Sequence, residues 1–198
     1  MAELKIDGWR ALHIRDWQGK PGLFTRNGHP IHGVDHILDK LHIMEQCAGE
    51  PMMFDGEFQV GGRLSATKQW CERGWKLGGE AGTLHLFDCM TDAEWRSGGS
   101  VTPLYQRKAR LTELMRQADE LPAAWEWRAG THGRQPNEPL VAMIEDEWVG
   151  DSSEALALAN RAWASGFEGL MLKAVQSGYE RNRAGSWRKV KTSSYLHA

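Results

Sequence analysis

The chain reads as an α+β domain whose largely antiparallel sheets are flanked by helices. Runs of strand character recur at residues 5–15, 21–26, 52–60, 83–89, 139–144, 168–175 and 187–191. Stretches of helical periodicity are scattered among these adjacent strands instead of alternating with them one for one. At 198 residues the chain can bury one sizeable core without a metal or disulfide, so a single domain spanning residues 1–198 is expected.

The first helix covers roughly residues 34–47, where Val34, Ile37, Leu38, Leu41 and Met44 form an apolar stripe. Lys40 lies off that stripe and is expected to be exposed. A second helix begins after Thr102 and Pro103, read as N-cap and first helical position, and continues through Leu104, Leu111, Leu114, Met115 and Ala118. A third opens at Asp151, with Glu154 three residues later as in a capping box, and closes at Gly166. Asn27 and Gly28 signal a turn after the second strand. Residues 60–82, glycine-rich at both ends and charged within, read as an exposed excursion.

Composition excludes several classes of function. With 41% hydrophobic and 25% charged residues and no apolar run of membrane-span length, the chain has no membrane role. Cys47, Cys71 and Cys89 are odd in number and far apart, as expected of reduced thiols in a cytoplasmic protein, and charges at Glu3, Lys5 and Asp7 interrupt any signal-peptide core. Ten tryptophans suit packing better than a cofactor, and eight histidines show no metal-ligand spacing. The net charge of −2 argues against bulk electrostatic coating of nucleic acid. Residues 181–191 nevertheless carry Arg181, Arg183, Arg188, Lys189 and Lys191 with no acid, leaving one end locally basic.

The chemistry concentrates in Lys5-Ile6-Asp7-Gly8-Trp9-Arg10. On a strand, Lys5 and Asp7 would project to one face, while Gly8 would allow the backbone to turn or to approach a ligand closely. Downstream, in order, come TRNG at 25–28, FDGEF at 54–58, LHLFDCM at 84–90, EGLMLK at 168–173 and WRKVK at 187–191. Together these stretches resemble the ordered motifs of the covalent nucleotidyltransferases, most closely the adenylation domain of ATP-dependent DNA ligases. RNA ligases and mRNA-capping guanylyltransferases resemble the lysine motif too. A nucleotide- or DNA-binding fragment that needs a partner chain is a reading from another class.

The resemblance implies an ATP-grasp-like fold, ATP and Mg2+ as cofactors, nicked duplex DNA as substrate, and a set of site residues. Lys5 matches the lysine that attacks the α-phosphate of ATP to give lysyl-AMP. Glu3 and the backbone around Leu4 match the segment that recognises the adenine amine, and Phe87 matches the aromatic that stacks on the base. Arg10 and Glu57 match the residues that hold the ribose hydroxyls. Arg26, Lys173, Lys189 and Lys191 match phosphate contacts, with Arg183 near the same basic wall. Glu168 matches the carboxylate that helps hold the metal, as suits magnesium's preference for oxygen ligands. Taken alone, each residue has a plainer reading: Phe87 as core, Glu57 and Glu168 as solvated carboxylates, and the basic run as a charged edge strand. No oligonucleotide-binding (OB) domain and no separate N-terminal DNA-binding domain are expected, so a separate OB-fold or DNA-clamping partner is a further expectation.

Overall fold

Alternation along Met52–Gln59 sends Met52, Phe54 and Phe58 to one side and Met53, Asp55 and Glu57 to the other. That division organises the molecule, because the apolar side needs helices to cover it and the mixed side faces a cavity. The structure is a computed structural model and describes residues 1–77, 80–121, 139–181 and 185–191.

In chain order the elements begin with β1 (Ala2–Leu4), β2 (Trp9–Arg15), β3 (Pro21–Thr25), α1 (Asp35–Ala48), β4 (Met52–Gln59) and α2 (Leu64–Glu72). A 3-10 turn at Gly74–Leu77 leads to β5 (Thr83–Thr91), α3 (Asp92–Ser97), β6 (Gly99–Ser100) and α4 (Leu104–Glu120). After them come β7 (Val141–Met143), β8 (Asp146–Glu147), α5 (Ser152–Ala164), β9 (Gly169–Lys173), β10 (Tyr179–Glu180) and β11 (Trp187–Lys191). A five-stranded sheet runs β3-β2-β4-β5-β7, antiparallel except for the parallel β5–β7 pair. Its apolar face meets Ile37, Leu41 and Met44 of α1 and Leu111 and Leu114 of α4. An antiparallel four-stranded sheet, β11-β9-β1-β8, backs onto α5 through Ala2, Leu170 and Val190 against Ala159 and Ala162. A two-stranded ribbon joins β6 to β10. The α+β expectation with mostly antiparallel sheets is met.

The helix expected at 34–47 forms, closed by Gly49 in the left-handed region. The Asn27–Gly28 turn forms as well, with the Gly28 amide donating to the Thr25 carbonyl at 2.9 Å. Asp151 caps α5 by accepting from the Glu154 amide at 2.9 Å, while the Glu154 carboxylate reaches back to the Gly150 amide instead of the Asp151 amide.

Other expectations need correction. Residues 5–15 are not one strand: Lys5, Ile6, Asp7 and Gly8 form the crossing between β1 in one sheet and β2 in the other. Lys5 and Asp7 therefore share no strand face, and the Asp7 carboxylate instead accepts from the Leu64 amide at 3.2 Å. The excursion at 60–82 carries α2 and the 3-10 turn, and α3 opens with a Thr91–Glu94 capping box. Pro103, not Thr102, is the N-cap of α4. Lys40 is buried at 2% exposure, because its long side chain runs between helices to Asp119, 2.5 Å away. Residues 78–79 and Arg183 lie outside the described residues.

Candidate active site

Both sheets line a cavity of about 550 Å³, within the usual range for small-molecule sites. Glu3, Leu4, Lys5, Arg10, Arg26, Glu57, Phe87, Lys173 and Lys189 all reach it, although they come from six separate strands and two connections. Glu168 and Lys191 stand beside Lys5. Among the described residues, those matched to the motifs are thus in or next to one site.

Lys5 follows β1, and its amide donates to the Gly169 carbonyl at 2.9 Å, extending the β1–β9 pairing by one residue before the chain turns away. Gly8 completes the crossing where a Cβ would lie 2.5 Å from the Phe58 carbonyl oxygen, so the missing side chain makes room for the neighbouring strand. The Lys5 ammonium is ion-paired with one oxygen of Glu168, and the Lys191 ammonium with the other. Gly169 brings Glu168 there: it sits at φ +147°, opposite Lys191 in the β9–β11 register, where a side chain would collide with the Val190 carbonyl. Burial works against the Glu168 charge, but hydrogen bonds from Lys191 and Lys5 outweigh it and hold this carboxyl below its usual range. On β11, Val190 packs into the α5 core while Lys189 faces the cavity, as alternation requires.

A second cluster is aromatic and cationic. The β4–β5 register shifts between Asp55–Asp88 and Gly56–Leu86, leaving Phe87 as an unpaired extra residue. This bulge turns the Phe87 ring toward the cavity. The ring meets Trp187 edge-on at 5.8 Å, and the Lys173 ammonium lies 4.2 Å from the Phe87 centroid and 4.1 Å from that of Trp187. Lys173 is 4% exposed and pairs with Glu3 at 2.6 Å; Lys108 of α4 pairs with the other Glu3 oxygen at 2.8 Å. Burial lowers the Lys173 value, and the acidic neighbours Glu3 and Asp88 offset this only in part. Lys173 therefore joins the aromatic cluster and not the Lys5–Glu168–Lys191 cluster.

Arg10 is held by Asp55, with Nε 3.0 Å from Oδ1 and Nη2 2.6 Å from Oδ2. Pairing with Asp55 outweighs burial and keeps the guanidinium charged. Burial pushes the Glu57 carboxyl up to about 7; Lys5 and Arg10 lower it while Asp55 and Asp7 raise it. Among the described residues no group of three His, Cys, Asp or Glu side chains could hold a metal.

Sequence reasoning did not select Asp55, Trp187, Tyr179 or Lys108. Asp55 carried a usable signal, since it lies two residues from Glu57 on a strand and so must share its face. Trp187 likewise shares the face of Lys189. Tyr179 and Lys108 reach the site only through tertiary contacts.

No curated protein sequence matches the chain. Solved structures do. One named Pmar-Lig_Pre matches at a TM-score of 0.74 and 25% identity, covering 96% of this chain and 41% of its own. The ATP-dependent DNA ligase from bacteriophage T7, in complex with ATP, matches at 0.71 and 18%, covering 96% of this chain and 61% of its own. A Naegleria gruberi RNA ligase with PPi is more distant, at 0.57 and 14%, covering 99% of this chain and 50% of its own. The chain thus spans between 41% and 61% of the length of these structures. The family model described as "ATP dependent DNA ligase domain" matches residues 1–191, nearly the whole described chain, and the chain belongs to that family.

Proposed function

We propose that the chain is the adenylation domain of an ATP-dependent DNA ligase and that Lys5 is its nucleophile. The observation that carries this reading is the placement of Lys5 on the wall of a cavity that also holds an aromatic platform and the further cations Arg26, Lys173 and Lys189. Phe87 stacks on adenine, Glu3 and the Leu4 backbone read its amine, and Arg10 with Glu57 holds the ribose. Arg26, Lys189 and Lys191 meet phosphate, whereas Lys173, expected there from the motif, lies instead with Glu3 and the Phe87 ring.

In the free protein Lys5 is an ammonium tied to Glu168. It must leave that carboxylate and lose a proton before attack. The Lys5 nitrogen then bonds to the α-phosphorus, the bond to the bridging oxygen of the β-phosphate breaks, and pyrophosphate leaves. A 5′-phosphate oxygen at a nick next displaces the Lys5 nitrogen, which takes back a proton. Attack by the 3′-hydroxyl finally closes the strand and releases AMP. Lys189 and Lys191 favour this course by concentrating positive charge where negative charge gathers.

Magnesium is commonly held by one or two protein carboxylates together with substrate phosphates. Glu168 fits that pattern as a single carboxylate beside the nucleophile, and bound magnesium would supply charge compensation for the triphosphate.

The test is incubation with α-labelled ATP and magnesium, followed by a denaturing gel and mass spectrometry of the adduct. Label is expected on Lys5 and absent from Lys5→Ala; an adduct on another lysine would refute the assignment. Labelling with GTP, and sealing assays on nicked DNA against nicked RNA, separate this reading from a guanylyltransferase and an RNA ligase.

A further inference from the structure

Arg10 and Glu57 are direct cross-strand partners in the β2–β4 register. Opposite charges in that relation ordinarily pair with each other. Here they do not. Arg10 reaches sideways to Asp55, whose own cross-strand partner is Leu12. Among the described residues the Glu57 carboxylate has no ion pair.

What draws Arg10 aside is a closed triangle. The Tyr179 hydroxyl donates to Asp55 Oδ2 at 2.7 Å and accepts from Arg10 Nη2 at 3.1 Å, while Arg10 Nε and Nη2 both donate to Asp55. Asp55 is fully buried and Tyr179 is 4% exposed, so neither has water as an alternative partner. Burial and the Asp55 charge raise the phenol's value, which keeps the hydroxyl a donor.

Tyr179 is itself held from outside the site. Its strand pairs with β6, placing Tyr179 opposite Ser100. The first amides of α4 grip the approach to it, Leu104 donating to the Ser177 carbonyl at 2.9 Å and Tyr105 to the Val175 carbonyl at 3.2 Å. The Arg107 guanidinium adds a bond to the Ser177 carbonyl at 3.1 Å. The Tyr179 ring then packs edge-on against Trp95 and Trp187.

We infer that Tyr179 is a positioning residue: delivered by the β6–β10 ribbon, its hydroxyl locks Arg10 onto Asp55 and so prevents Arg10 from collapsing onto Glu57. The arrangement keeps a guanidinium donor and a carboxylate acceptor separately available to one ligand, which suits a vicinal diol such as a ribose. This inference rests on the nucleotide-binding role proposed above for Arg10 and Glu57.

Tyr179→Phe removes only the hydroxyl and keeps the ring's edge contacts. Its effect is measured alone and in an Arg10→Ala background, by single-turnover labelling with ATP and by ATP affinity. In the parent background the substitution is expected to weaken the half-saturating ATP concentration about fivefold, with the rate at saturation changed less. In the Arg10→Ala background it should change either quantity less than about twofold, because a group acting through Arg10 has nothing left to act on. Equal losses in both backgrounds, or no loss in the parent background, overturn the inference. A second arm needs no activity. The Glu57 carboxyl, followed by carbon NMR, should titrate near 7 in the parent and clearly lower in Tyr179→Phe, where the freed guanidinium pairs with it. An unchanged Glu57 titration also overturns the inference. If the parent fails to label with ATP, the proposed function falls, and the Glu57 titration alone then decides for or against Tyr179.

Discussion

Replacing Glu57 with glutamine is expected to stabilise the free protein by an amount that grows as pH rises from about 4.5 to about 7 and is constant above that. Burial pushes this carboxyl from an ordinary 4.5 up to about 7. The native state therefore holds a proton that the unfolded chain has already released. The group's contribution to stability is fully present below pH 4.5 and is lost as pH rises through about 7. At about 1.4 kcal/mol for each pH unit between the two values, ionised Glu57 costs the fold about 3 kcal/mol at about pH 8.5. Glutamine has the same shape and no charge, so it removes that cost. In a domain of this size the gain corresponds to a rise in Tm of about 6–12 °C near pH 8.5. Near pH 3, where both states are protonated, the same substitution should shift Tm by about 1 °C or less. Thermal unfolding followed by circular dichroism across this range, for parent and variant, reads the difference directly. An equal gain at both ends, or none at the high end, would refute the claim that a buried, unpaired carboxylate is held in the site at the expense of stability. On the role proposed for Glu57, the variant should also label more weakly with ATP.

Lys189→Ala and Lys191→Ala should each slow lysyl-AMP formation about tenfold or more in the absence of DNA, while exposed Lys20→Ala leaves it unchanged. Parental labelling rates in both variants would remove these lysines from the phosphate site and leave them as DNA contacts, read instead as a shallower salt dependence of DNA binding. Glu168→Ala should raise the magnesium concentration needed for labelling while changing Tm little; indistinguishable magnesium titrations would exclude the metal role. Away from the cavity, Glu45 accepts from Arg15 at 2.8 and 3.0 Å and from the Met52 amide at 2.9 Å. Although burial opposes its charge, contacts with His13, Arg15 and the Met52 amide bring its carboxyl down to about 2. Its stabilisation is therefore present above pH 4.5 and lost as pH falls through about 2, so Glu45→Gln should lower stability by about 3 kcal/mol near pH 7 and by almost nothing near pH 2. A pH-independent loss in denaturant titrations would contradict this.

Local pattern carried the parts of the molecule that depend on local pattern. The stripe through Ile37, Leu41 and Met44 announces α1 because a helix buries one face, and Lys189, Val190 and Lys191 announce β11 because a strand alternates. Residues 5–8 misled for the opposite reason. They carry strand-like residues on both sides of a crossing between two sheets, and nothing in a one-dimensional pattern marks where pairing changes partners. The signal for α3 was present: Thr91 followed by Glu94 is the reciprocal capping pattern that the structure contains. Lys40 shows the limit of assigning exposure from residue type, because an ammonium with an acidic partner on the next helix can be buried. Ordered motifs drew attention to Lys5, Arg10, Glu57 and Phe87, which the fold gathers at one cavity, yet among the partners of Arg10 there is Tyr179, separated from it by most of the chain.

The Phe87 bulge makes the cavity-facing ring separable from the fold's own arithmetic. Leu86 stands opposite Gly56 and Asp88 opposite Asp55, so the inward and outward sequence of β5 would already be correct if Phe87 were absent. Leu84, Leu86 and Cys89 would still reach the helix-covered core, and Asp88 would still meet Arg107. The ring is an insertion into a complete ladder, not a rung of it. Changes of side chain at this position can therefore reshape the cavity without repacking the helix-covered core, and excision of residue 87 should yield a folded protein whose cavity has lost one aromatic wall, read as weaker labelling with ATP.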